Sequence, residues 1–129
     1  MPARRCAPLG RKAIDFDTVR HMSLALPGVE ESTTYGSPAF KVRGKMFACV
    51  AIHRSAEPGS LVVCIDFDQR DELVAAEPSV YYLTEHYVDY PVVLVRFSRV
   101  HRDALRDLLG MAYRFVSAGG RGTTKRRGR

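Results

Sequence analysis

The sequence has 129 residues, of which 46% are hydrophobic and 26% are charged, and a formal net charge of +6. Its length fits one domain with a single core, and its composition excludes an intrinsically disordered chain. No apolar run approaches the roughly 18 residues that a membrane-spanning helix needs, and the N-terminus lacks the apolar stretch of a secretory signal. We therefore expect a cytoplasmic protein that has no membrane partner and is a monomer by default.

The positive charge is concentrated at the two ends of the chain. Residues 1–12 contain four cationic side chains and residues 121–129 contain five, and neither stretch contains an acid. These ends contribute +9, which leaves −3 for residues 13–120. Basic segments bind polyanions without sequence preference. The sequence predicts a flexible basic tail over residues 1–13, one domain over 14–118, and a basic Gly/Arg-rich tail over 119–129.

The first half of the predicted domain contains one helix and four strands. The helix begins near Asp15, whose carboxylate is a good N-cap, and ends before Pro27-Gly28. Turns at residues 36–38 and 43–44 separate short apolar or β-branched runs. These runs predict strands over 32–35, 39–42, 45–53 and 60–66.

The second half predicts a short helix, two strands and a long amphipathic helix. The short helix runs from Asp68, its predicted N-cap, to Ala76, and strands follow over 80–83 and 92–97. The last helix, over 102–118, carries one continuous apolar stripe at helical spacing. The stripe consists of Leu105, Leu108, Leu109, Ala112, Tyr113 and Val116.

This order of elements predicts an α+β domain with two layers. Short links between successive strands require antiparallel pairing, because parallel strands need a long crossover. The helices bury their apolar stripes by packing on one face of this sheet. We expect the other face to be at least partly exposed.

Two segments carry a resemblance to the MmcQ/YjbR family: Leu26 to Glu31, and Tyr35 to Ala48, which reads YGSPAFKVRGKMFA. The likeness spans about Phe16 to Ala118. It implies a CyaY-like α+β fold with a twisted antiparallel sheet, described as a double wing and labelled DNA-binding. The family usually has Trp where Tyr113 stands, and Tyr preserves the aromatic packing, so we expect the fold to be retained.

Three cations near the turn at residues 43–44 form a candidate nucleic-acid interface. Lys41 and Arg43 alternate, so we expect them to share a strand face, and the turn to bring Lys45 near them. Such cations grip phosphates, and Tyr35 is a candidate for stacking on a base. The alternative is that the three charges are solvated and keep the sheet from pairing with neighbouring chains.

Two further arginines, Arg96 and Arg99, flank the end of the last strand and belong to the same candidate interface. The aspartates that alternate with the following arginines favour ion pairs on a solvated helix face instead. Tyr82 and Tyr87 offer a stacking platform if they stand exposed beside the hairpin.

The sequence lacks residue sets for other kinds of chemistry. The four histidines are widely spaced, the three cysteines show no CxxC spacing, and there is no G-x-S-x-G motif or glycine-rich phosphate loop. We therefore expect no catalytic site, no cofactor and no metal. Cys49 and Cys64 lie in apolar runs, and we expect them to be small buried hydrophobic residues.

The sequence thus predicts a non-enzymatic protein that binds DNA or another nucleic acid, mainly through phosphates, using a basic hairpin and its basic tails. The first alternative is a protein-interaction or regulatory module that uses the exposed sheet face. The second is frataxin-like metal handling, for which Asp15, Asp17, Glu30 and Glu31 are the candidate acids.

Overall fold

The computed structural model describes residues 14–34 and 36–120. Within these residues, three helices accompany one six-stranded sheet of order β1-β2-β3-β4-β6-β5, in which every neighbouring pair is antiparallel. The helices are α1 (Phe16–Leu24), α2 (Phe67–Ala76) and α3 (Arg102–Ser117). The strands are β1 (Val29–Thr34), β2 (Ser37–Val42), β3 (Lys45–Val50), β4 (Ser60–Cys64), β5 (Tyr81–Tyr82) and β6 (Val92–Arg96). The predicted α+β fold is therefore confirmed.

The helices begin at capping residues. Asp15 caps α1 as predicted and accepts a hydrogen bond from the Thr18 amide at 3.0 Å. The predicted cap of α2 is wrong, because Asp66 takes that position and accepts from the Gln69 amide at 2.8 Å. Asp68 lies instead in the first turn, where its negative charge stabilises the helix dipole.

Most strand boundaries lie within a few residues of the predicted ones. The largest difference at a strand start is in β1, which begins at Val29 rather than at Ser32. Glutamate is depleted in strands, yet Glu30 and Glu31 pair in register with Lys41 and Phe40 of β2. Tertiary pairing therefore overrides the weak local preference.

One face of the sheet carries α1 and α3. The ring of Phe16 in α1 stacks on Phe40 at 5.5 Å, and Tyr113 in α3 meets the edge of Phe47 at 6.1 Å. The Tyr113 hydroxyl also donates to the Pro27 carbonyl at 2.5 Å. Tyr113 thus keeps the predicted aromatic packing. The buried stripe of α3 is the predicted one, formed by Leu105, Leu108, Leu109, Ala112 and Val116.

The second face of the sheet is covered at its centre and exposed at the β1 edge. All five residues of β4 are buried, as are residues 92–95 of β6, whereas a half-exposed sheet alternates. Residues 51–59 and 83–91 lie over this face, and the Tyr82 hydroxyl beneath them contacts Ser60 Oγ at 2.6 Å. The predicted partial exposure is found at β1, where Glu30 and Ser32 are exposed, and does not extend to β4 and β6.

Candidate nucleic-acid interface

A two-residue turn joins β2 to β3 at Arg43 and Gly44. Both residues have positive φ, 54° at Arg43 and 77° at Gly44, which is the geometry of a type I′ hairpin turn. Glycine adopts this conformation freely, whereas at Arg43 it costs about 1 kcal/mol or more. The Arg43 side chain is consequently exposed at the tip of the hairpin.

The pairing of β2 with β3 places Lys41 and Lys45 in neighbouring rows beside the turn, on the tip side of a register irregularity. Phe40 pairs with Ala48, but Lys41 pairs with Met46, so that β3 contains one extra residue at this point. Val42 then pairs with Lys45. Because residues one row apart point to opposite faces, Lys41 and Lys45 lie on opposite faces of the hairpin. The prediction that Lys41 and Arg43 share a face is wrong, since Arg43 lies in the turn.

The cations around the tip are available to a ligand. Across residues 14–34 and 36–120, no ion pair joins Lys41, Arg43 or Lys45 to a carboxylate. Glu30 is the cross-strand neighbour of Lys41. The adjacent Glu31 is bound by Arg20, at 2.9 Å and 3.1 Å, and this hydrogen bond lowers the pKa of the Glu31 carboxyl.

The C-terminal end of α3 lies at the same end of the sheet as the hairpin tip. Helix α3 follows β6 and runs back along the sheet toward the hairpin tip. The hydroxyl of its Tyr113 donates to the carbonyl of Pro27. Pro27 precedes β1, whose first residue, Val29, pairs with Val42 at the end of β2. Arg114 is exposed in the last turn of α3. The five cations of residues 121–129 therefore follow in sequence from the end that holds the hairpin tip.

Arg96, by contrast, is fully occupied within the fold. Its guanidinium binds Glu57 at 2.8 Å and 3.0 Å and donates to the carbonyls of Pro78 and Ser79 at 3.1 Å and 3.0 Å. It also lies over the Tyr82 ring, 4.2 Å from the centroid. These contacts hold the strand end in place and leave little of the guanidinium for a phosphate.

Arg96 and Arg99 are also distant from the hairpin. Arg96 pairs with Ser60 across β6 and β4. Counted along the strand direction, this pair lies four residue positions from the pair formed by Lys41 and Met46. This is about 13 Å along the strands, and the three intervening strand spacings add about 14 Å across the sheet. Arg99 is exposed at the same far end. Tyr35 lies outside the described residues.

The tyrosine platform that the sequence suggested is not beside the hairpin. Tyr82 is partly buried, and its hydroxyl accepts from the Glu57 amide at 2.8 Å. Tyr87 is also partly buried, and burial raises the pKa of its hydroxyl. Both rings pack against the protein core rather than presenting a face to solvent.

Sequence reasoning missed Arg70, which is buried and donates to the carbonyls of Val88 and Tyr90 at 2.8 Å and 2.9 Å. Nothing in the local pattern distinguished it from the exposed charges beside it in α2. It also missed the parallel stack of His53 and His86, whose ring centroids are 3.6 Å apart, because this contact joins distant segments.

Three of the four acids predicted for metal handling bind other groups of the protein. Asp15 caps α1, and Asp17 and Glu31 both bind Arg20. The described part of the chain contains no group of three or more His, Cys, Asp or Glu residues placed to hold a metal ion. Nor does any helix within it have the length and apolarity needed to span a membrane.

Comparisons with known proteins agree with this fold. The chain is similar to the crystal structure of Deinococcus radiodurans protein DR2400, which has a DUF419 domain. The two share 23% sequence identity with a TM-score of 0.66, and the match covers 86% of this chain and 84% of that chain. A search of curated proteins finds none that matches. The model of the YjbR family matches residues 24–115, well over half of the sequence. The predicted resemblance is confirmed: the chain belongs to the YjbR family.

Proposed function

We propose that this protein binds nucleic acid through phosphate contacts at the tip of the β2–β3 hairpin. The observation that carries the proposal is the set of cations around the tip, Lys41, Arg43 and Lys45, which lack ion-pair partners among the described residues. The other prominent arginines of the body, Arg20, Arg70 and Arg96, are each held by carboxylates or carbonyls. The hairpin cations thus differ from the arginines that serve the fold.

The end of α3 supports the same site. It lies at the end of the sheet that holds the hairpin tip, and Arg114 adds an exposed cation in its last turn. Five more cations follow in sequence in residues 121–129. Neutralising several phosphates releases counterions, and this release drives association that is independent of base sequence.

The arrangement favours contacts to phosphates over recognition of bases. The tip presents long flexible cations on opposite faces of a narrow hairpin, so they can straddle a backbone. Bidentate recognition of a base edge needs a side chain held in a fixed orientation. We therefore propose a non-enzymatic protein with weak sequence preference. The alternative of a partner protein on the second sheet face is not favoured, because loops cover its centre.

The test is a fluorescence-anisotropy titration of a labelled DNA duplex with the full chain. Changing Lys41→Ala, Arg43→Gly and Lys45→Ala together should weaken binding about tenfold or more, since about three phosphate contacts are lost. The matched control changes Arg54, Arg99 and Arg102 to Ala. This control removes the same charge from exposed positions at the other end of the sheet.

The control protein should bind nearly as well as the unmodified chain. If both triple variants weaken binding equally, net charge rather than the hairpin determines association, and the proposed site is wrong. If neither variant weakens binding, the body of the protein does not contact the duplex.

A further inference from the structure

Two loop segments hold each other over the second face of the sheet. The ring of His53, in residues 51–59, stacks on His86, in residues 83–91, with centroids 3.6 Å apart and planes inclined by 6°. The hydroxyls of Ser55 and Thr84 lie 2.8 Å apart and join the same two segments. We call this set of contacts the clasp.

The hydrogen bonds of His53 fix its protonation state in the closed clasp. The Ser55 amide donates to Nδ1 of His53 at 3.1 Å, so Nδ1 presents a lone pair and the neutral ring carries its proton on Nε2. A second proton would have to occupy Nδ1, where it would face the Ser55 N–H. Ser55 Oγ, 2.8 Å from Nδ1, can accept that proton, but the amide would lose its acceptor.

The surroundings of the stack also oppose positive charge. His53 is faced by His86 and by the adjacent Arg54, and the partly buried ring of Tyr87 contacts both histidines edge-on. Glu57, the carboxylate of the same segment, is bound by Arg96 at 2.8 Å. Partial burial, with His86 and Arg54 next in importance, lowers the pKa of His53. Across the described residues no carboxylate forms an ion pair with either ring.

The clasp covers a buried thiol. Tyr87 lies close to Cys49 of β3, whose side chain is buried beneath the loops. Burial raises the pKa of this thiol to about 11. Cys49 and Lys41 both point to the second face, so the covered surface adjoins the Lys41 side of the hairpin. Exposure of Cys49 therefore reports whether the clasp is open.

We propose that the clasp is acid-sensitive: it is closed while His53 and His86 are neutral, and it opens locally when both rings are protonated, exposing Cys49. Two imidazolium rings stacked face to face repel each other, and protonated His53 no longer accepts from the Ser55 amide. The sheet and the helices remain folded, because α1 and α3 pack on the first face of the sheet, which these loops do not cover. This device does not depend on nucleic-acid binding.

The test measures thiol labelling of the full chain with 4,4′-dithiodipyridine between pH about 7.5 and pH about 5, a range that spans the histidine titration. Each rate is divided by that of N-acetylcysteine at the same pH, and peptide mass analysis assigns the labelled cysteine. The normalised rate at Cys49 should rise about tenfold or more on acidification, as expected for local opening. The rate at the fully buried Cys64 should stay constant.

Variants separate the clasp from other effects of acid. His53→Asn retains an acceptor near the Nδ1 position without titrating, so His53→Asn combined with His86→Asn should abolish the rise at Cys49. His21→Asn, on the exposed side of α1, is the matched control and should retain it. A rise that persists in the double variant, or that appears equally at Cys64, contradicts the proposal.

A second measurement on the unmodified chain does not depend on the variants folding. The NMR signal of the Ser55 amide should shift together with the titrating ring signals of His53. An amide signal that stays constant while His53 titrates would show that the clasp does not respond to protonation.

Discussion

At Arg96 and Arg70, each guanidinium is enclosed by the fold. Arg96 joins Glu57 to the carbonyls of residues 78 and 79, and Arg70 joins α2 to the segment over the second sheet face. Arg43 is exposed at the hairpin tip instead. The residue type is therefore a poor guide to function here. In the proposed function, the phosphate-binding cations are those that form no ion pair within the described residues, and this property becomes visible only when the chain is folded.

We expect the buried hydrogen bonds of Arg70 to stabilise the fold. Arg70→Met preserves much of the buried volume but removes the donors to the Val88 and Tyr90 carbonyls, so the free energy of unfolding should fall by about 3 kcal/mol. Urea unfolding measures the change. Arg114→Met, at an exposed position, should alter stability by less than about 0.5 kcal/mol. Equal losses in the two variants would show that the buried hydrogen bonds of Arg70 contribute nothing.

Local sequence predicts the bounds of some helices, turns and strands more accurately than those of others. Helix α3 was predicted almost to the residue, because its apolar stripe and the following glycine are local signals. The Arg43-Gly44 turn was likewise predicted from its residues. The extra residue in β3, Phe47, was not, and it shifts the pairing of β3 beyond Met46. Lys45 lies on the face opposite Lys41 because the two-residue turn pairs it with Val42. A bulge depends on how two strands pair, which alternation within one strand does not encode.

The coverage of the second sheet face was also not predictable from local patterns. It depends on contacts between distant segments, such as the His53–His86 stack and the Arg70 bonds to residues 88 and 90. Neither of these segments has the periodicity of a helix or a strand, and the sequence therefore indicated only loops. The candidate site on the β2–β3 hairpin stays a prediction, and the distance of Arg96 from this hairpin became visible only in the fold.

We expect substitution of Arg43 in the hairpin turn to have opposite effects on stability and on duplex binding. Arg43→Gly removes the strained left-handed arginine and should raise the free energy of unfolding by about 0.5 kcal/mol, while it weakens duplex binding. Gly44→Ala should lower stability by about 1 kcal/mol and leave the charges in place. Urea unfolding and anisotropy measure the two properties. A loss of stability in Arg43→Gly would contradict the turn geometry.

At the scale of the whole molecule, positive charge is segregated from the acidic body. Residues 13–120 carry −3 in total, yet one end of the sheet presents the hairpin cations and also holds the end of α3, after which the sequence continues with five cations in residues 121–129. In the proposed function, the acidic body would repel a phosphate backbone and so favour its approach to the hairpin end. The sequence predicted the overall charge balance, whereas the common end of the hairpin tip and the end of α3 follows from the direction of α3.

The dependence of global stability on pH has two separate windows. The pKa of His53 is lowered from 6.5 in the folded chain, so the unfolded chain binds more protons just below that value. Stability is fully present above pH 6.5 and falls as pH drops toward the folded pKa. Glu31 and Glu57, whose pKa values are lowered from 4.5 by hydrogen bonds from Arg20 and Arg96, retain their contribution until more acidic pH.

Urea unfolding at several pH values, compared with His53→Asn, isolates the first window. The difference in the free energy of unfolding between the two proteins should be constant above pH 6.5. As pH falls from 6.5 toward about 5, the unmodified chain should lose stability relative to His53→Asn. A difference that does not change with pH would show that His53 has the same pKa in both states.

The most direct test is the salt dependence of duplex binding in a full chain whose four cations in residues 1–12 and five cations in residues 121–129 are all changed to Gln. If the hairpin is a site of the fold, this chain should still bind, with a slope of log K against log salt of about −2 to −3. Adding Lys41→Ala, Arg43→Gly and Lys45→Ala should bring the slope close to zero. If changing these nine cations alone abolishes binding, the basic ends of the chain are responsible and the hairpin is not a nucleic-acid site.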